Sequence, residues 1–148
     1  MEEINTPDPD FAKRVRNSFA RQAYVNFIGA ELIHVGAGEV DIQLGRNANL
    51  LQQDGYVHGG VLTAIADAAA GYAALSISSK DVGVLTTELK VNFLRAAGGD
   101  RQVARGRVLK PGRTLTVCTG DVYDLVDGRE VHVLTSLVTM MHVAGLSA

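Results

Sequence analysis

The residues best suited to chemistry fall in one stretch, Gln52-Gln53-Asp54-Gly55-Tyr56-Val57-His58-Gly59-Gly60, and in the apolar run that follows it from Val61 to Ile77. That run reads VLTAIADAAAGYAALSI, and Asp67 is its one charged residue. The paired glycines carry no side chain to screen their backbone amides. The first turn of a helix leaves N–H groups without intrahelical acceptors, and the helix dipole favours negative charge there. A helix opening at Gly59-Gly60 therefore presents amide donors to an oxygen that gains negative charge. Asp67 lies about two turns further on, in apolar surroundings of the kind that raise a carboxyl's pKa. An amide for an oxyanion, with a carboxylate that takes a proton or attacks, reads as a catalytic pairing.

The elements that position this pairing follow from periodicity. Residues 61–77 are apolar on all sides, too long for a typical buried strand, and rich in Ala and Leu; they predict a buried helix rather than a membrane span. Before it, Phe11, Val15, Phe19 and Ala23 recur near helical spacing, and Asp8 or Asp10 can cap their helix. Lys13, Arg14, Arg16 and Arg21 fall between them and read as a solvated face. Residues 30–35 and 39–44 read as strand, glycine turn, strand, with Val40, Ile42 and Leu44 facing inward. After Lys80-Asp81-Val82-Gly83 come further strand runs, punctuated by Ala97-Gly98-Gly99-Asp100, Pro111-Gly112 and Asp127-Gly128. None of these connections holds a crossover helix, so the later strands are expected to be antiparallel neighbours. The fold class expected is α+β: two strands precede the long buried helix, four strands' worth of sequence in three or four runs follows it, and the antiparallel sheet curls around that helix. Residues 1–28 form the N-terminal helix and lead-in, and 29–148 the main domain.

Composition narrows the rest. The chain has 148 residues, 47% apolar and 20% charged, with a net charge of -2. That balance gives no electrostatic case for nucleic acid or an anionic membrane. Cys118 is the only cysteine, so no intrachain disulfide forms, and mid-strand it reads as a small buried residue. The N-terminus lacks the basic and apolar regions of a signal peptide, so the cytoplasm is the expected location. His34, His132 and His142 have no metal-ligand spacing, and Gly36-Ala37-Gly38 does not continue as a nucleotide-binding loop.

Three blocks resemble one family. Val57-His58-Gly59-Gly60-Val61 is followed by Ala66-Asp67-Ala68-Ala69, the acid nine positions after the histidine. Leu85-Thr86-Thr87-Glu88-Leu89-Lys90-Val91-Asn92-Phe93-Leu94-Arg95 and Gly106-Arg107-Val108-Leu109-Lys110-Pro111-Gly112-Arg113 come next, in order. From about Gly29 to Met141 the chain resembles hotdog-fold acyl-CoA thioesterases of the phenylacetate-degradation (PaaI-like) type. The resemblance implies a five- to six-stranded antiparallel sheet wrapped on one helix. Two protomers join edge to edge with active sites shared between them, and dimers pair into a homotetramer. It also implies an acyl-CoA substrate with an aryl or medium-chain acyl group, and no metal or redox cofactor, coenzyme A being part of the substrate.

Residue by residue, the resemblance gives Asp67 the role of activating water or attacking the thioester carbon. The Gly59 N–H becomes the oxyanion donor. His58 either acts as a base or shapes the loop. Gln52 stands where the family often has Asn, with Gln53 beside it leaving the register open. Thr86 matches a Ser/Thr position that orients the water, although strand parity gives Thr87 the core-facing side unless a bulge intervenes. Arg95, Lys110 and Arg113 are candidates for the coenzyme A phosphates. Tyr56, Tyr72, Leu75 and Leu94 are candidates for the pocket wall. The alternatives are a non-catalytic acyl-CoA or hydrophobic-ligand sensor, and a hydratase of the same fold, whose acid and histidine spacing does not match.

Overall fold

The computed structural model describes residues 4–146, in the order α1 (Phe11–Arg21), α2 (Ala23–Phe27), β1 (Ala30–Gly36), β2 (Glu39–Gly45), α3 (Gly59–Ser76), β3 (Val82–Phe93), β4 (Arg101–Lys110), β5 (Leu115–Val126) and β6 (Arg129–Ala144). The apolar run is α3, and Ile65, Ala66, Ala69, Ala70, Ala73 and Ala74 on it are fully buried. It packs on one six-stranded antiparallel sheet of order β1-β2-β4-β5-β6-β3. This is the hotdog arrangement that the family resemblance implies. Val40, Ile42 and Leu44 of β2 face the core as their alternation predicts.

The sequence order of the strands is not their spatial order. β3 pairs with β6, and β4 pairs with β2 and β5, so β3 and β4 are not the neighbours expected. The chain between them does not turn tightly. It crosses the ends of β5 and β6, and the buried Asp124 carboxylate fixes it by accepting from the N–H groups of Gly98 and Gly99, both at 2.9 Å. β3 consequently forms one edge of the sheet, with no strand on its outer side among the described residues.

Two glycines set how close α3 comes. Gly106 and Gly120 are register partners on β4 and β5. A Cβ on Gly106 would lie 2.0 Å from the Ala69 carbonyl oxygen, and one on Gly120 would lie 2.6 Å from that of Ala66. The alanine face of the helix therefore lies against bare strand backbone.

The N-terminal helix buries Val15 and Phe19, but it ends at Arg21. Gln22 is extended, and Ala23 begins the short α2 rather than continuing the same stripe. Neither aspartate caps α1 with its side chain in the expected way. Asp10 holds the N-cap position without a cap bond, and Asp8 accepts from the Asp10 N–H (3.0 Å) and from Arg14 Nε (2.8 Å). Arg14 also departs from the solvated-face reading. Its guanidinium donates to the carbonyls of Leu75 (3.1 Å), in the last turn of α3, and of Ser78 (2.8 Å), just beyond it. A cation at a helix C-terminus also complements the dipole.

Candidate active site

His58 is the N-cap of α3, and its Nδ1 accepts the Gly60 N–H at 2.9 Å. The N–H groups of Val61 and Leu62 donate to the His58 carbonyl at 2.9 and 3.2 Å. Of the first-turn amides, Gly59 alone has no acceptor among the described residues. The bond to Gly60 occupies the lone pair that His58 would use as a base at Nδ1, so the imidazole acts as a cap. Gly59 opens into a cleft of about 360 Å³ lined by Gln52, Tyr56, Phe93, Leu94 and Arg95, among others. The Phe93 ring lies directly over it, 3.1 Å from where a Cβ would stand.

The loop leading to Gly59 is held on both sides. The Val57 N–H donates to Ala97 O (2.9 Å), and Arg46 donates to Gly55 O (2.6 Å) and Gly98 O (3.0 Å). Gln52 Oε1 accepts the Asp54 N–H, which leaves its Nε2 as the donor available to the cleft. Gln53 is exposed and does not line the cleft, and its Nε2 reaches Asp54 Oδ2 at 3.4 Å.

Asp67 is half-buried, and Thr86 Oγ1 donates to its Oδ1 at 2.8 Å. Parity alone would turn Thr86 away from the helix. The β3–β6 register shifts between Thr86 and Glu88, so Thr87 is an extra residue. Val84 and Thr86 face inward before this bulge, and Leu89 and Val91 after it. Leu85, which by simple alternation shares the parity of Leu89 and Val91, is exposed instead. Thr87 Oγ1 donates to Thr139 O at 3.1 Å, away from the acid. Burial pushes the Asp67 carboxyl above its ordinary value of 3.8, and the Thr86 hydroxyl partly offsets this. The cleft around Asp67 measures about 420 Å³ and is lined by residues of α1, α3, β3, β6 and the C-terminal segment.

The Asp67 and Gly59 clefts share no lining residue. Gly59 and Asp67 are eight residues apart on one helix, hence about 12 Å along its axis. Within one chain they cannot both reach one carbonyl. Tyr72 and Leu75 line the acid's cleft, and Tyr56 and Leu94 line the amide's.

The three basic candidates do not converge either. Arg95 sits at the Gly59 cleft and donates to His132 O at 3.3 Å. Lys110 and Arg113 flank the β4–β5 turn at the other end of the sheet. Phe93 pairs with Leu134 and Leu134 with Val122, so the length of β5 back to Leu115 puts more than about 20 Å between them.

The profile of the thioesterase superfamily matches residues 54–131. This chain belongs to the thioesterase superfamily. It is 41% identical to a thioesterase family protein from Silicibacter pomeroyi, with a TM-score of 0.90 over 91% of this chain and 99% of that one. A conserved protein from Pseudomonas aeruginosa is 28% identical, with a TM-score of 0.75 over 82% and 94% of the two chains. The PaaI protein from the phenylacetic acid degradation operon of E. coli shares the fold, with a TM-score of 0.82 over 92% and 95% at 20% identity. The superfamily's reaction class, thioester hydrolysis, is therefore that of this chain. The matched segment contains Gly59, Asp67 and Thr86, while Gln52 and all of α1 precede it.

Sequence reasoning missed Ser18 of α1, Gln22 just beyond its end, Val84 and Met140, which also line the Asp67 cleft. No periodic signal marks Gln22, because it is extended and lies outside the helix. Cys118 is buried, its thiol pushed up to about 12 by burial, and it takes no part. Each histidine flagged earlier has a local partner: His34 with Glu39, His132 with Asp121, and His142 with Thr116.

Proposed function

We propose that the chain hydrolyses acyl-CoA thioesters with an aryl or medium-chain acyl group, at sites shared between two copies joined along β3. The carrying observation is the pair of incomplete half-sites. One has an acid held by Thr86, the other an amide left without an acceptor, too far apart to act together in one chain. An antiparallel two-fold pairing of the β3 edges brings the acid of one copy opposite the amide of the other, and it covers an otherwise bare strand edge. Asp67 accepts a proton from the attacking water, or attacks the carbonyl carbon itself. Thr86 fixes the carboxylate. The Gly59 N–H, with Gln52 Nε2, takes the developing oxyanion, and such a donor contributes about 3–4 kcal/mol to the transition state. Pairs of dimers assemble further into a tetramer, and the protein works in the cytoplasm without a metal or redox cofactor.

The test is release of free thiol from a panel of aryl and alkyl CoA thioesters, with Asp67→Asn as the control. Turnover lowered about 10²–10⁴-fold in the folded variant supports the assignment. An unchanged rate removes Asp67 from the mechanism, and tight binding without thiol release by the unmodified protein returns the sensor reading.

A further inference from the structure

We infer that the cleft beneath Asp67 receives the acyl arm of the substrate, and that Gly71 sets how large an acyl group enters. The inference rests on the hydrolase reading above and adds a direction and a gauge to it. Asp67, Gly71 and Leu75 succeed one another at intervals of four on α3 and line one cleft. Residues at that spacing stack on one helix face, each about one turn below the last. The face thus presents a reacting carboxylate, then a turn with no side chain, then an apolar floor. The room beside the acid exists because position 71 is glycine. A Cβ there would point at Met140 Cε, 3.4 Å away, across the same cleft. From Asp67 to Leu75 is about 12 Å along the axis, a depth that suits a ring with its linker or a chain of medium length.

Electrostatics decide which arm goes in. No Lys or Arg lines this cleft among the described residues, while Asp67 adds a negative charge to it. The coenzyme A phosphates would be repelled there and left without partners. Ala68, Gly71, Leu75, Val84, Met140 and Leu146 contribute apolar surface instead, and the uncharged polar side chains Ser18, Gln22, Tyr72 and Thr86 line the rest. The coenzyme A arm then leaves through the Gly59 cleft of the second copy, which in each chain holds an arginine, Arg95.

The experiment compares kcat/KM for acetyl-, hexanoyl-, octanoyl- and phenylacetyl-CoA in the unmodified protein, Gly71→Ala and Gly71→Leu. Gly71→Ala meets only ordinary van der Waals contact and places a better helix former mid-helix, so it folds at least as well as the parent. The octanoyl-to-acetyl and phenylacetyl-to-acetyl ratios are expected to fall at least about tenfold in Gly71→Leu, in line with what a few methylenes are worth in a packed pocket. A smaller fall in the same direction is expected for Gly71→Ala, which carries the test if the leucine variant does not fold. Ratios unchanged in both variants, with turnover present, overturn the inference and leave the hydrolase assignment intact. Absence of turnover of every thioester by the unmodified protein overturns the underlying assignment instead.

Discussion

At the scale of the residue, one carboxyl and one hydroxyl determine the pH behaviour. Burial raises the Asp67 pKa, and the bond from Thr86 lowers it. Activity that needs the carboxylate is therefore lost as pH falls through the raised value. Thr86→Val removes the lowering contribution, so the acidic limb of the kcat/KM profile should move to higher pH, with a rate loss of about tenfold. A limb that stays in place would detach Thr86 from the acid.

The same shift has a stability sign. With the folded pKa above the unfolded one, the native state binds more protons between the two values, and stability falls as pH rises through that window. Asp67→Asn is not subject to that loss. Its Tm should rise relative to the parent as pH climbs from the ordinary carboxylate value of 3.8 toward neutral, readable by thermal melts across pH. Asp67 and the opening at Gly59, which line the two clefts, were singled out in the sequence because a lone acid in an apolar helix and a His-Gly-Gly opening stand out from their surroundings. The choice between Thr86 and Thr87 was not. A bulge leaves no mark in composition, and period-two reasoning fails once a residue is inserted in one strand only.

At the scale of the element, α3 meets β4 and β5 by close approach of backbone at two glycines. The Ala66 and Ala69 carbonyls face Gly120 and Gly106 at distances that leave no space for a methyl group. Gly106→Ala forces the helix off the sheet, and urea unfolding should show a loss of about 3 kcal/mol or more. The sequence displayed both glycines, but strands tolerate glycine for several reasons, and only the helix lying across them singles these out.

Arg14 is a similar case. Its spacing suggested a solvated face, yet it ties the end of α3 to α1 and pairs with the buried Asp8. Arg14→Met leaves that carboxylate buried without its cation, so a destabilisation of about 3 kcal/mol is expected in the same assay. Strand order was also beyond local reading, because it depends on where the 94–100 connection runs and not on any turn residue. Antiparallel pairing itself was legible, since every later connection is short.

At the scale of the whole molecule, a site divided between copies makes a prediction that no single-chain site shares. Asp67→Asn and Gly59→Val should each be inactive alone. Mixed and reassociated, half the dimers carry one of each, and each mixed dimer keeps one intact site, so activity should return to about a quarter of the parent's. No recovery in mixtures verified to contain mixed dimers would refute the divided site. The separation of Gly59 from Asp67 was legible, because eight residues on one helix put two turns between them and the resemblance implies a shared site; the lining of the two clefts was not, because it draws on α1, β3 and β6.

β3 bears on both halves at once. Near one end Thr86 orients the acid, and near the other Phe93 roofs the amide. In the proposed dimer, a strand paired with its own copy works as a ruler read in both directions. Sliding the two copies by a pair of residues would displace acid from amide by about 7 Å at both sites together. The length of this strand is then far less free to vary than its side chains. Gains or losses of residues should accumulate in the turns and leave Val82–Phe93 at constant length.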